Sequence, residues 1–115
     1  MKTYTGLLSL HSFGEAYDIL FISSVGEPLA EELQWMVGKQ ATVRYWITDT
    51  QASKDEAKED FIRQLYGAAD GKFGSRYSEI TGYLWTDEEL NVGGHDLIAE
   101  LKSYAGKWLI LEVEA

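Results

Sequence analysis

The side chains able to do acid–base or metal chemistry are few in kind and poorly grouped. His11 and His95 are the two histidines, and no H-x-H or H-x-x-x-H spacing gives either a local partner. A metal site would need both to meet carboxylates from distant segments. His95 instead precedes Asp96, which stands before an amphipathic run as a helix N-cap would. The acidic runs "DEAKED" (55–60) and "TDEEL" (86–90) offer adjacent carboxylates but lack the alternating oxygens and glycine turn of a D-x-D-x-D-G metal loop. At helix starts such acids are satisfied by the dipole and by solvent. Cysteine is absent, and no serine stands in the G-x-S-x-G setting of a nucleophile. "GAADGKFGS" (67–75) fails as a phosphate loop, because three residues separate Gly67 from Gly71 and Phe73 follows Lys72. No catalytic residue, metal or cofactor is assigned, and the chain is read as a non-enzyme.

Two groups of side chains are better suited to binding. Arg63, Lys72 and Arg76 gather around the glycines at 67, 71 and 74, the one basic concentration in the chain, and are candidates to hold an anion. The aromatic residues form the second group. Trp46 and Trp108 fall on the outward parity of their strands beside Arg44, Ile110 and Glu112, while Tyr77, Tyr83 and Trp85 share one parity of another. Arg44, Trp46, Tyr83, Trp85 and Trp108 would make an aromatic binding face ringed by charge, provided that no helix layer or second copy covers it.

These residues must be positioned by regular elements. "TYTGLLSLH" (3–11) and "AYDILFISS" (16–24) read as strands of a hairpin turning at Gly14. "GEPLAEELQWMVGK" reads as a helix, with Pro28 at its start, Leu29 and Leu33 inward and Gly38 as its cap. "QATVRYWIT" (40–48) alternates as a strand with Ala41, Val43, Tyr45 and Ile47 inward. Residues 53–69 read as the clearest helix, opened by a Ser53–Glu56 capping box and striped by Ala57, Phe61, Leu65 and Ala68. "RYSEITGYLW" (76–85) reads as a strand, "TDEEL" as a capped turn, "HDLIAELKSYAG" as a third helix and "KWLILEVEA" as the closing strand. Aligning Gly38-Lys39 with Gly106-Lys107 superposes Leu29, Glu32 and Leu33 on Leu97, Glu100 and Leu101, so a helix-Gly-Lys-strand unit occurs twice. Arg44 and Glu112 then occupy equivalent positions in the two repeats and could pair across strands. "TGLL" (5–8) likewise echoes "TGYL" (81–84). The expectation is one α+β domain over residues 1–115. It has about five strands in a mainly antiparallel, curved sheet or partial barrel and two to three packed helices, in the order β-β-α-β-α-β-α-β.

Composition bounds the function. The chain has 115 residues, 45% hydrophobic and 25% charged, with 19 acidic against 10 basic side chains and a formal net charge of −9. That charge repels phosphate backbones, so direct nucleic-acid binding is not expected. The N-terminus lacks a signal-peptide h-region and no apolar run approaches the ~20 residues of a membrane span, so no membrane partner is expected and a cytoplasmic location is. The segments "VRYWIT", "YSEITGYLWTDEEL" and "GGHDLIAELKSYAGKWLILEV" resemble small uncharacterised proteins of tailed phages and prophages. The resemblance implies an accessory role in the host cytoplasm and carries no site residue with it. The first functional expectation is an acidic, non-enzymatic interaction protein that binds or inhibits a basic host protein, with self-association as a further use of the aromatic face. The alternative is a domain that binds or sequesters a small anionic or planar ligand between the repeated units, through Arg63, Lys72, Arg76 and the tyrosines.

Overall fold

The chain is described by a computed structural model over residues 1–13, 17–77 and 84–115, with the backbone alone at residues 13, 17, 72–77 and 84–87. Its strands are β1 (Lys2–Phe13), β2 (Tyr17–Ile22), β3 (Gln40–Thr48), β4 (Phe61–Tyr77), β5 (Leu84–Val92), β6 (His95–Asp96) and β7 (Trp108–Glu114). They form one seven-stranded sheet in the order β2-β1-β7-β3-β4-β5-β6, antiparallel throughout. Helix α1 (Leu29–Glu32) is a single turn continued by a 3-10 turn at Gln34–Met36, and α2 (Leu97–Lys102) is the one longer helix among the described residues.

This corrects the α+β expectation of about five strands under two to three helices. The largest difference is residues 53–69. The Ser53–Glu56 capping box forms as expected, with the Ser53 amide donating to Glu56 Oε1 at 3.1 Å and the Glu56 amide donating to Ser53 Oγ at 3.3 Å. It caps a turn and a short 3-10 segment (Lys58–Asp60), after which Phe61 turns extended and begins the longest strand. Here "FIRQLYGAA" satisfies both periods, since Phe61, Leu65 and Ala69 are spaced for a helix while residues 63, 65, 67 and 69 alternate as a strand. Gly67 weakens a helix by about 1 kcal/mol, and pairing with β3 from Gln40↔Ala68 to Trp46↔Phe61 decides for the strand. Gly67 is required there: its φ is 143°, and a Cβ would lie 2.7 Å from the Gly93 Cα of the neighbouring turn. The expected capped turn "TDEEL" lies within β5. The expected strand 76–85 is divided between opposite arms of the β4–β5 hairpin, with residues 78–83 outside the described residues.

Other expectations hold. β1 and β2 pair antiparallel, with the expected turn at Gly14 lying outside the described residues; β3 spans residues 40–48, and β7 is the last strand. Ala41, Val43, Tyr45 and Ile47 are all buried on the inner face. They pack with Leu29, Leu33, Leu97 and Leu101 of the two helical segments and with Leu8, Leu20, Leu90 and Leu111 of the sheet. Each such leucine contributes about 1.5–3 kcal/mol by leaving water. The sheet also curls. The free edge of β2 leans toward β5, and the Leu20 amide donates to Glu88 Oε1 at 3.3 Å. Lys102 of α2 pairs with the other oxygen of that nearly buried carboxylate at 2.8 Å.

The architecture is a ββαβ unit traced twice. β1, β2, α1 and β3 form the first, and β4, β5, α2 and β7 the second. Exchanging the units reverses the order of the six long strands and leaves the sheet unchanged, so a pseudo-twofold axis runs between the central strands β3 and β7. Their register places Arg44 directly opposite Glu112, at the axis, as the repeat implies. The backbone closures match one for one. The Gly38 amide donates to Ala69 O at 2.8 Å and the Ala69 amide to Lys39 O at 2.9 Å; the Gly106 amide donates to Leu8 O at 2.8 Å and the Leu8 amide to Lys107 O at 2.9 Å. Likewise the Ser23 amide bonds Leu7 O and the Gly93 amide bonds Ala68 O, both at 3.0 Å. These bonds make Gly6-Leu7-Leu8 equivalent to Gly67-Ala68-Ala69, so the counterpart of "TGLL" is "YGAA" rather than "TGYL".

Candidate functional site

The outer face of the sheet, turned away from the two helices, carries Trp46, Ile110, Glu112 and Trp108. Residues 49–60, which join the two units, fold across it as a roof. Ala52 and Ala57 pack on Trp46, Ile110 and Trp108 to make a small second core. The Trp108 indole Nε1 donates to the Ala52 carbonyl at 3.1 Å. Lys54 reaches under the roof to Glu112 Oε2 at 2.7 Å and sits 5.2 Å from the Trp46 ring centre. Lys107 pairs with Asp49 at the start of the segment. Glu112 would be an uncompensated charge at 5% exposure without Lys54, so this ion pair fastens the roof to the axis of the molecule.

Of the five residues expected to form an aromatic face, Arg44, Trp46 and Trp108 are described with their side chains. Trp46 is 7% exposed, packed edge-on against Phe61 at 5.4 Å, and Trp108 is half-buried at the rim. Arg44 donates from Nε to Gln64 Oε1 at 2.8 Å and lies 3.8 Å from Glu114, so the Arg44–Glu112 register does not become a side-chain pair. Trp85 has only its backbone placed, opposite Arg76 in the β4–β5 register, and Tyr83 lies outside the described residues. The expected anion cluster is spread out. Arg63, Lys72 and Arg76 stand along one strand, so that on the order of 25–30 Å of chain separates the first two. Arg63 is already engaged, with Glu100 at 2.9 Å and His95 Nδ1 at 3.2 Å.

Sequence reasoning missed the roof and the inner polar chain. Tyr45 donates to Glu100 Oε2 at 3.1 Å, and Glu100 carries the network on to Arg63 and His95. Burial, with Glu100 beside it, pushes the Tyr45 phenol far above its ordinary pKa. His11 lies elsewhere, on β1, against Ser9 and the edge of Phe21. The two histidines therefore share no cleft. Among the described residues no three acidic or histidine side chains converge as metal ligands, and no helix is long and apolar enough to cross a membrane.

Where roof meets sheet there is an open cleft of about 540 Å³, lined by Thr5, Gln51, Ala52, Ser53, Glu56 and Trp108. The capping box presents Glu56 to it, and the two bonds from Ser53 hold that carboxyl below the usual range. The signal that could have located this cleft was the capping box itself, read as closing one turn in front of an outward tryptophan.

Beyond the cleft the outer face is apolar and exposed: Phe61 is 46% and Tyr66 69% accessible, with Ile62 beside them. Asp55, Glu59 and Asp60 of the roof are exposed and make no ion pair among the described residues. Comparison of the chain with protein-family models, with curated proteins and with solved structures gives no match.

Proposed function

We propose that this chain is a non-enzymatic, acidic binding module that docks a basic protein on its roofed outer face. One observation carries the reading. Arg44, Lys54, Arg63, Lys102 and Lys107 are all spent on internal ion pairs, while the carboxylates of Asp55, Glu59 and Asp60 stand unneutralised beside exposed Phe61 and Tyr66. Aromatic anchors within a charged rim are the usual composition of a binding hot spot, and the rim charges steer an opposite partner. In the phage setting that the sequence texture suggests, the partner is a basic, nucleic-acid-handling host protein, and occupancy of its basic surface inhibits it. The small-anion alternative has less support, because Arg63 is engaged and the basic residues are strung along β4.

The test is native mass spectrometry of the tagged protein recovered from a bacterial host at low and high salt, beside Tyr66→Ala and Asp60→Lys variants. The reading expects a stoichiometric complex with a basic protein, dissociated by salt and lost in both variants. A symmetric oligomer without foreign protein, or a complex indifferent to salt and to both substitutions, contradicts it.

A further inference from the structure

We propose that the cleft between roof and sheet receives an arginine side chain of the basic partner; this deepens the preceding reading and rests on it. The wall chemistry selects the occupant. The Trp108 N–H is committed to Ala52 O, so the indole offers the cleft an aromatic surface and no donor. The Glu56 carboxylate accepts from the Ser53 amide at Oε1 and also from the Ser53 hydroxyl, and its remaining lone pairs can accept from a ligand. Ser53 Oγ takes the Glu56 amide, and of the remaining lining only Thr5 and Gln51 combine donor and acceptor character. No cation lines the space, and Lys54 and Lys107 nearby are neutralised by Glu112 and Asp49.

A site with an aromatic wall, a carboxylate and few donors fits a planar, donor-rich cation. Guanidinium meets each requirement: it stacks on an indole, presents several N–H groups in one plane, and pairs with a carboxylate. An ammonium brings charge without the plane and is held less well. The cleft volume of about 540 Å³ exceeds one side chain, so a short stretch of the partner's backbone enters with the arginine. The twofold-related position has different walls. Trp108 and Thr5 correspond to Gln40 and Tyr66 in the other unit, where no linker forms a roof.

The experiment titrates acetyl-Gly-Arg-Gly-Arg-Gly-amide, and its lysine counterpart, into the ¹⁵N-labelled full chain and follows amide and indole N–H signals. The expected result is a saturable shift of the Trp108 indole and the Gln51 and Ser53 amides, with the lysine peptide binding several-fold more weakly. Glu56→Gln keeps the capping box, since glutamine serves it equally, and is expected to weaken the arginine peptide about fivefold. Glu31→Gln, on α1, removes the same charge and leaves the affinity unchanged. Equal weakening by both substitutions reduces the effect to net charge and overturns the proposal. Saturable shifts confined to Phe61 and Tyr66, with Trp108 unmoved, overturn the cleft while leaving the acidic-module reading standing. Absence of any response also overturns the cleft, and the salt-labile complex described above then decides the module reading separately.

Discussion

The two halves of the molecule share the order of their main elements and their backbone closures among the described residues, and differ in much of their chemistry. Equivalent glycines, Gly38 and Gly106, leave the helical segments with φ of 89° and 91°, and each with its following lysine makes the same pair of hydrogen bonds to the first strand of the other unit. Equivalent leucines, Leu33 and Leu101, are completely buried. Elsewhere the units diverge. Trp35 of the first unit donates to Tyr4 and lies near Lys2 and Lys39, whereas its counterpart Ser103 bonds its own turn. Tyr45 anchors a polar chain through Glu100, whereas its counterpart Val113 is plain core. The linker supplies the strongest asymmetry because there is only one. It crosses one side of the axis, buries Trp46 and leaves the cleft at Trp108. A symmetric scaffold with one asymmetric connection thus places this candidate site in one unit, and the shared features define the fold while the differences define the chemistry.

The largest effect of substitution is expected in the core. Leu33→Ala and Leu101→Ala should each cost about 2–5 kcal/mol, agreeing within roughly 1 kcal/mol, because both side chains fill the same place in equivalent units. Urea denaturation of the two variants measures this, and a large inequality would show that one unit folds around the other. A smaller and more local effect is expected at the roof. Lys54→Met removes the partner of buried Glu112 and should cost about 1–2 kcal/mol, discounted for the half-exposed lysine, with a red-shifted tryptophan emission as Trp46 becomes wetter. The smallest effect at neutral pH belongs to Tyr45→Phe, within about 1 kcal/mol, since Glu100 keeps Arg63. Its signature lies in alkali. The folded-state pKa of Tyr45 is raised, so the stability tied to its neutral phenol is complete below about pH 10 and is lost as the pH rises beyond it. Phenylalanine should therefore flatten the alkaline limb of stability measured by denaturation across pH.

Much of the repeat was legible in the sequence because its signals are local. Gly38 and Gly106 stop amphipathic stretches, β3 and β7 alternate, and Asp96 caps α2 by accepting from the Ala99 amide at 3.1 Å. What escaped depended on partners far along the chain. "FIRQLYGAA" fits helix and strand equally until β3 offers a pairing edge. "TGLL" and "TGYL" share letters, but equivalence follows hydrogen-bond partners, and those select "YGAA". The outward parity of Trp46 was readable, yet its burial is caused by a linker that local rules took for the start of a helix. The same error hid Glu56 and the cleft, since a capping box is normally followed by more than one turn.

The molecule is two equivalent units under one separately fastened roof. Native-state hydrogen exchange resolved by residue tests it most directly. The prediction is that residues 49–60 exchange first and alone, while the paired closures at Leu8, Gly38, Ala69 and Gly106 are protected alike and exchange together with global unfolding. Exchange of Gly38 and Ala69 orders of magnitude faster than that of Leu8 and Gly106, or a roof as slow as the core, would contradict it.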